Sequence, residues 1–219
     1  MTSLFLVRHG ETDWNRQRRI QGSTDIPLND AGRAQAAEAA ERLGELIAPG
    51  STVAVAASDL GRARETAQII ADTLAAGPVG VYPALRERAY GEAEGLRPEE
   101  FSDRWGSWDR AEVPGAESWP DVRARALRGL RSAVADARRR TSPASGALVV
   151  VSHGALIREL LRHASAGELP REGERLPNGS IHRVHFERDH LRLLSYESAA
   201  DALRMTATAQ RVAAPASGS

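Results

Sequence analysis

Cysteine is absent from this chain, which excludes disulfides, thiolate metal ligands and a cysteine nucleophile. Lysine is absent as well, since all 29 basic residues are arginine. That removes a P-loop lysine, a lysine Schiff base and pyridoxal chemistry. Alanine is abundant alongside arginine, so the bias reads as compositional and not functional. No apolar run approaches the roughly 20 residues that cross a bilayer. Arg8 breaks the only early apolar stretch, so no secretory leader is expected and cytoplasmic residence is the default. An excess of one charge is also missing. The 29 arginines are interleaved with 29 acids, which argues against nucleic acid or an anionic membrane as partner. Metal-ligand spacing, an Asp-x-Asp pair and a Walker-type glycine loop are lacking, so neither a metal nor a cofactor is expected.

What is present suits a globular protein. The 219 residues are 42% hydrophobic and 26% charged, enough for one domain with a substantial core, although two small domains also fit the length. The expected organisation is a single domain over 1–204 with an irregular lid segment at about 96–118. Residues 205–219, rich in Ala, Thr, Gly and Ser, read as a flexible tail.

Hydrophobic periodicity and turn residues place the elements. Strands are expected at 4–8, Thr52–Ala56, Val79–Tyr82, Ala147–Val151, Ile181–Phe186 and Leu191–Tyr196. Helices are expected from Ala31 to about Ile47, Gly61 to Leu74, Trp119 to about Arg140 and Ala155 to about His163. Pro27-Leu28-Asn29-Asp30 caps the first of these, and Asp59 or a neighbour caps the second. From Ala84 to Glu117 the pattern is irregular, with short helices. Strands alternating with helices imply an α/β fold, a three-layer α/β/α sandwich on a mainly parallel sheet. Ligands of such sheets sit beyond the carboxyl ends of the strands.

Two strands end alike. Leu4-Phe5-Leu6-Val7 runs into Arg8-His9-Gly10, and Ala147 to Val151 runs into Ser152-His153-Gly154. A histidine after a strand is ordinarily structural. Two of them, each followed by glycine at one sheet edge, point to a shared site. The glycine is expected to let the chain turn and a ligand approach. Arg8, Asn15, Gln21, Arg62 and His153 are donors with no evident carboxylate partner, suited to a small oxyanion such as phosphate. His9 would attack phosphorus, its basicity lowered by the arginines. The cations would stabilise the charge on the equatorial oxygens without a metal. Glu87 would protonate the leaving oxygen, since a bound oxyanion favours the neutral carboxyl, and would then activate water. Its bland alternative is a surface ion pair with Arg86 or Arg88. Arg62 is ordinarily a solvated residue, lifted here only by its Ser-Asp-Leu context. Glu11 is either catalytic or a tether for an arginine or amide. His182 and His185 read as structural. Trp105, Trp108 and Trp119 fit a lid or simple packing equally.

These motifs, taken in order, resemble the histidine phosphatase superfamily in its phosphoglycerate mutase-like branch. The matching residues are Arg8-His9-Gly10-Glu11-Thr12 with Asn15, Gln21-Gly22 through Asn29 and Gly32, and Ser58-Asp59-Leu60-Gly61-Arg62-Ala63 through Ala67. The block from Glu87 to Gly95, Pro114-Gly115-Ala116-Glu117-Ser118, and Ser152-His153-Gly154 complete the set. The resemblance implies that His9 forms a phosphohistidine and that Glu87 is the proton donor. It implies that Arg8, Arg62 and His153 hold the phosphoryl group, with Asn15, Gln21, Gly22 and Gly154 contributing to the pocket. The implied activity is a histidine acid phosphatase-type phosphoric monoester hydrolase acting on a small-molecule phosphate ester, and a homodimer is compatible with it. The alternatives are a phosphoglycerate mutase primed by a bisphosphate and a non-catalytic phosphate-binding regulatory protein. The mutases carry a longer, basic insertion than the roughly twenty residues between Gly95 and Gly115, which favours the phosphatase.

Overall fold

The computed structural model describes residues 2–108, 110–141, 146–187 and 190–198. The expected tail at 205–219, the end of the expected domain at 199–204 and most of the polar linker before residue 146 lie outside the described residues. The elements run β1 (Thr2–Arg8), α1 (Asp13–Arg16), α2 (Asp30–Leu46), β2 (Thr52–Ala57), α3 (Gly61–Thr73) and β3 (Gly80–Val81). They continue with α4 (Pro98–Trp105), α5 (Trp119–Thr141), β4 (Gly146–Ser152), α6 (Gly154–Ala164), β5 (Ile181–Glu187) and β6 (His190–Ser195).

Among the described residues six strands form one sheet in the order β3-β2-β4-β1-β5-β6. The first four are mutually parallel, and β5 and β6 add an antiparallel edge. Strand alternation sorts the core into two layers. On one face Leu4, Leu6, Ala54, Ala56, Leu148 and Val150 pack under α5 and α6. On the other, Phe5, Val7, Val55, Ala57, Val149 and Val151 pack under α2 and α3. Every residue of β4 is buried, as a central parallel strand covered on both sides requires. Helix α5 contributes Val122, Ala126, Leu130, Ala133, Val134 and Ala137, a stripe at three- and four-residue spacing.

Local chemistry sets the helix starts. Asn29 caps α2 by accepting from the Gly32 N–H at 2.8 Å, as expected. At α3, where Asp59 or a neighbour is expected as the cap, the neighbour Leu60 holds that position without a side-chain bond, and Asp25 accepts from the Gly61 N–H at 2.9 Å. Asp59 is taken by Arg86 through bonds of 2.6 and 2.5 Å, because a bidentate charged pair outcompetes a single amide. Helix α1 was not expected. One turn has no periodicity to read, and it forms because Thr12 and Asn15 cap each other reciprocally.

Gly10 also departs from expectation. Its φ is not positive, so no unusual turn is needed there. A Cβ at Gly10 would lie 2.1 Å from the Gly32 carbonyl oxygen, and one at Gly32 would lie 2.1 Å from that of Glu11. The two glycines let the backbone of α2 touch the exit of β1. It is a helix, not a ligand, that approaches. Gly32→Ala should therefore lower unfolding stability by about 3 kcal/mol, the upper part of the overpacking range. Gly44, exposed in the same helix with its nearest neighbour 3.7 Å away, has room for a methyl group. Gly44→Ala should raise stability by roughly 0.5–1 kcal/mol. Urea unfolding of both variants checks the contrast, and equal effects would contradict the close-packing account.

Candidate active site

The sheet brings the two His-Gly corners together. Arg8 and Ser152 are register partners on adjacent parallel strands, so His9 and His153 leave the sheet side by side. The His9 N–H donates to the Ser152 carbonyl at 3.0 Å, and the two rings stand 5.1 Å apart. On the other flank of β4, β2 ends at Ala57, and the Ser58 N–H donates to the Val151 carbonyl. The carboxyl ends of β2, β4 and β1 thus present Ser58, His153 and His9 in one row.

A hydrogen bond fixes the tautomer of His9 and another anchors His153. His9 Nδ1 lies 2.6 Å from the Gly10 carbonyl oxygen, which only accepts, so Nδ1 carries the proton. Nε2 of the neutral ring is left with a free lone pair. His153 Nε2 lies 2.6 Å from Ser58 Oγ, which itself accepts weakly from the Leu60 N–H at 3.4 Å. A serine hydroxyl carries one proton and two lone pairs, so this contact fits either tautomer of His153. The Nδ1 of His153 is buried without a partner among the described residues. Burial first, then the guanidinium groups of Arg62 and Arg8, hold His9 well below 6.5. Burial is the larger cause, where the sequence reading named only the arginines. His153 is lowered by burial, then by Arg62, His9 and Arg8.

Both arginines are held by carbonyls. Arg62, completely buried on the first turn of α3, donates Nη1 to Thr24 O and Nη2 to Gly22 O, each at 2.8 Å. Arg8 donates Nη1 to Leu176 O. The Nε atoms of both are buried without a partner among the described residues. Burial, with Arg62, Arg175 and Arg158 adding and Glu87 opposing, lowers Arg8 to about 10. Asp25 approaches Arg62 no closer than 3.9 Å. Gly154 permits this packing, since a Cβ there would lie 3.3 Å from Arg8 Nε.

Glu87 is not a surface ion pair. Arg86 turns to Asp59, and Arg88 donates to the Glu117 carbonyl at 2.8 Å while lying 4.8 Å from the Tyr90 ring and 4.4 Å from that of Trp119. The Glu87 carboxylate accepts from the N–H groups of Ala155 and Leu156 at 2.9 and 3.0 Å, and from Arg88 N at 2.9 Å. It thereby caps α6, whose N-cap residue His153 contributes no side-chain bond. One helix start carries both His153 and Glu87.

The remaining expected residues lie in the surrounding scaffold. Asn15 Oδ1 accepts from the Thr12 N–H and from Asn178 Nδ2, both at 3.2 Å, which leaves its own NH2 group as the donor. Gln21 accepts from the Thr12 hydroxyl at 3.0 Å. Gly22 enters through its carbonyl and has φ +56°, with Glu94 packed where a Cβ would stand. Glu11 accepts from Asn29 Nδ2 at 2.9 Å, which is the amide tether of the two readings. Buried His182 stacks on Tyr196 and contacts the Ser180 hydroxyl at 3.1 Å, and burial, then Arg42, push it down to about 3. The tryptophans pack on neighbouring side chains, Trp105 on Phe101 and Trp119 on Arg88. Trp108 stacks on buried Phe101 at 3.9 Å and meets Tyr90 edge-on at 6.0 Å.

Four supports escaped the sequence reading. Asn178 donates to the His9 carbonyl at 2.9 Å as well as to Asn15, and nothing local marks it. Thr66 accepts from the Gly10 N–H at 3.1 Å and donates to Arg62 O at 2.8 Å, joining the two site segments. Ser58 holds His153 Nε2 through a hydrogen bond of 2.6 Å. Glu94 binds Ser23, Thr24 and Tyr90. Burial works to raise its carboxyl, yet those hydrogen bonds hold it below the usual range. The last three stand inside the quoted motifs, where their function is invisible without contacts. Among the described residues no cluster of three His, Asp or Glu is disposed to hold a metal, and no helix is long and apolar enough to cross a membrane.

Residues 4–199 match the family described as the histidine phosphatase superfamily (branch 1). The chain is 36% identical over 196 residues to "Uncharacterized phosphatase PhoE" of Bacillus subtilis (strain 168), covering 90% of this chain and 94% of that one. It is 35% identical to "Metal-independent phosphoserine phosphatase" of Arabidopsis thaliana, covering 85% and 77%. It is also 36% identical to "Probable phosphoglycerate mutase GpmB" of Enterobacter sp. (strain 638), covering 85% and 86%. A solved mycobacterial glucosyl-3-phosphoglycerate phosphatase in complex with VO3 superposes with a TM-score of 0.72 at 28% identity, covering 91% of this chain and all of that one.

The three buried histidines make stability depend on pH. His9, His153 and His182 all have folded values below their unfolded 6.5, so the unfolded chain binds more protons as pH falls. Their contribution is complete above 6.5 and is lost as pH drops toward the folded values. Between pH 7.5 and 5.5 the loss should be on the order of 1 kcal/mol per histidine, so roughly a few kcal/mol for the three. Urea unfolding in phosphate-free buffer reads it directly, and a stability unchanged across that interval would contradict the neutral buried imidazoles.

Proposed function

Because the chain belongs to branch 1 of the histidine phosphatase superfamily, we propose that it is a phosphomonoesterase that cleaves a small phosphorylated metabolite through a phosphohistidine on His9. Its phosphatase-named relatives support phosphatase activity. The observation that carries the finer reading is local. An imidazole with its Nδ1 proton committed to Gly10 stands with three buried nitrogens that have no partner among the described residues, two of them guanidinium donors.

In the first step the Nε2 lone pair of His9 attacks phosphorus in line and the ester P–O bond breaks. The departing oxygen takes the proton of the Glu87 carboxyl. Arg8 Nε, Arg62 Nε and His153 Nδ1 donate to the equatorial oxygens, where charge is spread in the transition state. In the second step water attacks phosphorus, the P–N bond breaks, and the Glu87 carboxylate accepts the water's proton. Orthophosphate leaves and His9 returns to its neutral form. Asn15, Gln21, Gly22 and Gly154 shape the pocket around these groups. The sheet, its helices and the 96–118 segment are read as one catalytic domain, and the substrate as a free small molecule.

The relatives named as mutases give a second reading, in which the phosphoryl group returns to the substrate. The segment from residue 96 to 118 weighs against it. Arg97, Arg104 and Arg110 stand against Glu99, Glu100, Asp103, Asp109, Glu112 and Glu117, so the segment is net acidic. Such a segment is ill suited to gripping a second acidic group. An isomerisation assay with 3-phosphoglycerate, run beside phosphate release, separates the two.

His9→Ala should bring turnover to or below ~0.1% of the parent rate, as loss of a nucleophile does. Activity near the parent level would overturn the assignment. Glu87→Gln should cost about 100-fold on an alkyl phosphate but less than ~10-fold on p-nitrophenyl phosphate, whose leaving group needs little protonation. Equal losses would give Glu87 another role. Treatment with EDTA should leave the rate unchanged, and strong inhibition would reveal a metal requirement.

A further inference from the structure

The segment that carries Glu87 has little regular structure, yet its carbonyl groups are held in succession. Ala84 O accepts from Arg125 Nη1 at 3.1 Å, Arg86 O from the same nitrogen at 2.6 Å, and Glu87 O from Arg125 Nη2 at 3.0 Å. Leu85 O accepts from Ser152 Oγ at 2.8 Å, and Ala89 O from the Glu117 N–H at 2.9 Å. One guanidinium on α5 thus binds three of four consecutive carbonyls, and the fourth goes to the last residue of β4, directly before His153.

Arg125 is itself held rigidly. Its Nε and Nη2 form a bidentate pair with Glu117 at 2.6 and 2.8 Å, and both side chains are largely withdrawn from solvent, at 15% and 21% exposure. A bidentate pair fixes the plane of the guanidinium, which a lone ammonium could not do. The plane decides where the carbonyls of residues 84–87 lie, and their backbone decides where the Glu87 carboxylate meets α6. Glu117 belongs to the Pro114–Ser118 motif, to which no chemistry had been attached.

We propose that the Arg125–Glu117 pair is a positioning clamp that sets Glu87, the acid and base of the reaction, against the start of α6. Arg125 touches no reacting atom and acts only through the backbone of residues 84–87. The inference rests on the reading of Glu87 as proton donor.

The test compares an alkyl phosphate with p-nitrophenyl phosphate in Arg125→Met, Arg125→Lys, Glu87→Gln and the Arg125→Met/Glu87→Gln double variant. Arg125→Met should lose at least tenfold more turnover on the alkyl ester than on the aryl ester. A structural defect would lower both alike. Arg125→Lys keeps a charge opposite Glu117 but cannot bridge it to three carbonyls, so it should show the same selective loss and serves where the Met variant fails to fold. The double variant should be no more selective than Glu87→Gln alone, because the clamp works only through that carboxyl. Equal losses on both esters in the folded Arg125 variants, with Glu87→Gln selective, would overturn the clamp and leave Glu87 in place. Equal losses in Glu87→Gln would overturn the proton-donor reading, and the clamp with it. Multiplying ratios in the double variant would also reject the clamp.

Discussion

The structure turns on buried positive charge that carboxylates offset only from a distance. Arg62 is fully buried with the Asp25 carboxylate 3.9 Å away, and Glu87 opposes the lowering of both Arg62 and Arg8. Guanidinium groups withdrawn from water are costly, and protein interiors ordinarily pair them closely. Here carbonyl oxygens of Gly22, Thr24 and Leu176 hold them in place. A carbonyl fixes direction but leaves the net charge intact. The field of both arginines therefore reaches the imidazoles, adding to burial in keeping them neutral. A carboxylate in the same positions would have satisfied the arginines and filled the anion site.

That arrangement demands a rigid frame, since a strained electrostatic cluster relaxes wherever the backbone can move. The frame is the parallel core of the sheet. Register pairing of Arg8 with Ser152 places the two histidines side by side, and the bond from His9 N–H to Ser152 O spans the gap. The glycine contact between residues 10 and 32 brings α2 against the same corner. Thr66 links that corner to the carbonyl of Arg62 itself. The site residues come from distant parts of the chain, yet His9 and Ser58 bond directly to the fully buried strand β4, and His153 follows its last residue.

How much of this the sequence discloses depends on the range of the interaction. Strand ends, helix stripes and the Asn29 cap are local, and period and residue type reveal them. The paired His-Gly corners are legible because the same pattern occurs twice at the end of an apolar strand. Long-range partners are not legible. Asp59 stands at a plausible cap position, but Arg86 claims it across space and Asp25 takes its place. Glu87 flanked by two arginines looks like a surface pair, and only the fold shows both arginines directed elsewhere. Gly10 looks like a turn residue until Gly32 is seen against it. Asn178 carries no local signal, because its value lies wholly in reaching back to His9 and Asn15.

The start of α6 shows how one element divides its work. Free N–H groups and the helix dipole make a helix N-terminus a ready anion site, and a phosphate would fit there. In this fold Glu87 occupies it, accepting from Ala155 and Leu156. On the proposed reading the phosphoryl group is then left to the side-chain donors, whose charge is larger and whose placement suits an in-line transition state. The carboxyl gains a fixed distance from His153, because both hang on the same helix turn. Its position cannot drift relative to the imidazole without unwinding α6 or releasing the backbone of residues 84–87. A proton donor must track the leaving oxygen on one side while the nucleophile approaches from the other. Anchoring it to the helix that carries His153, which is bonded through Ser58 to the next strand, makes that geometry a property of the sheet and not of a loop.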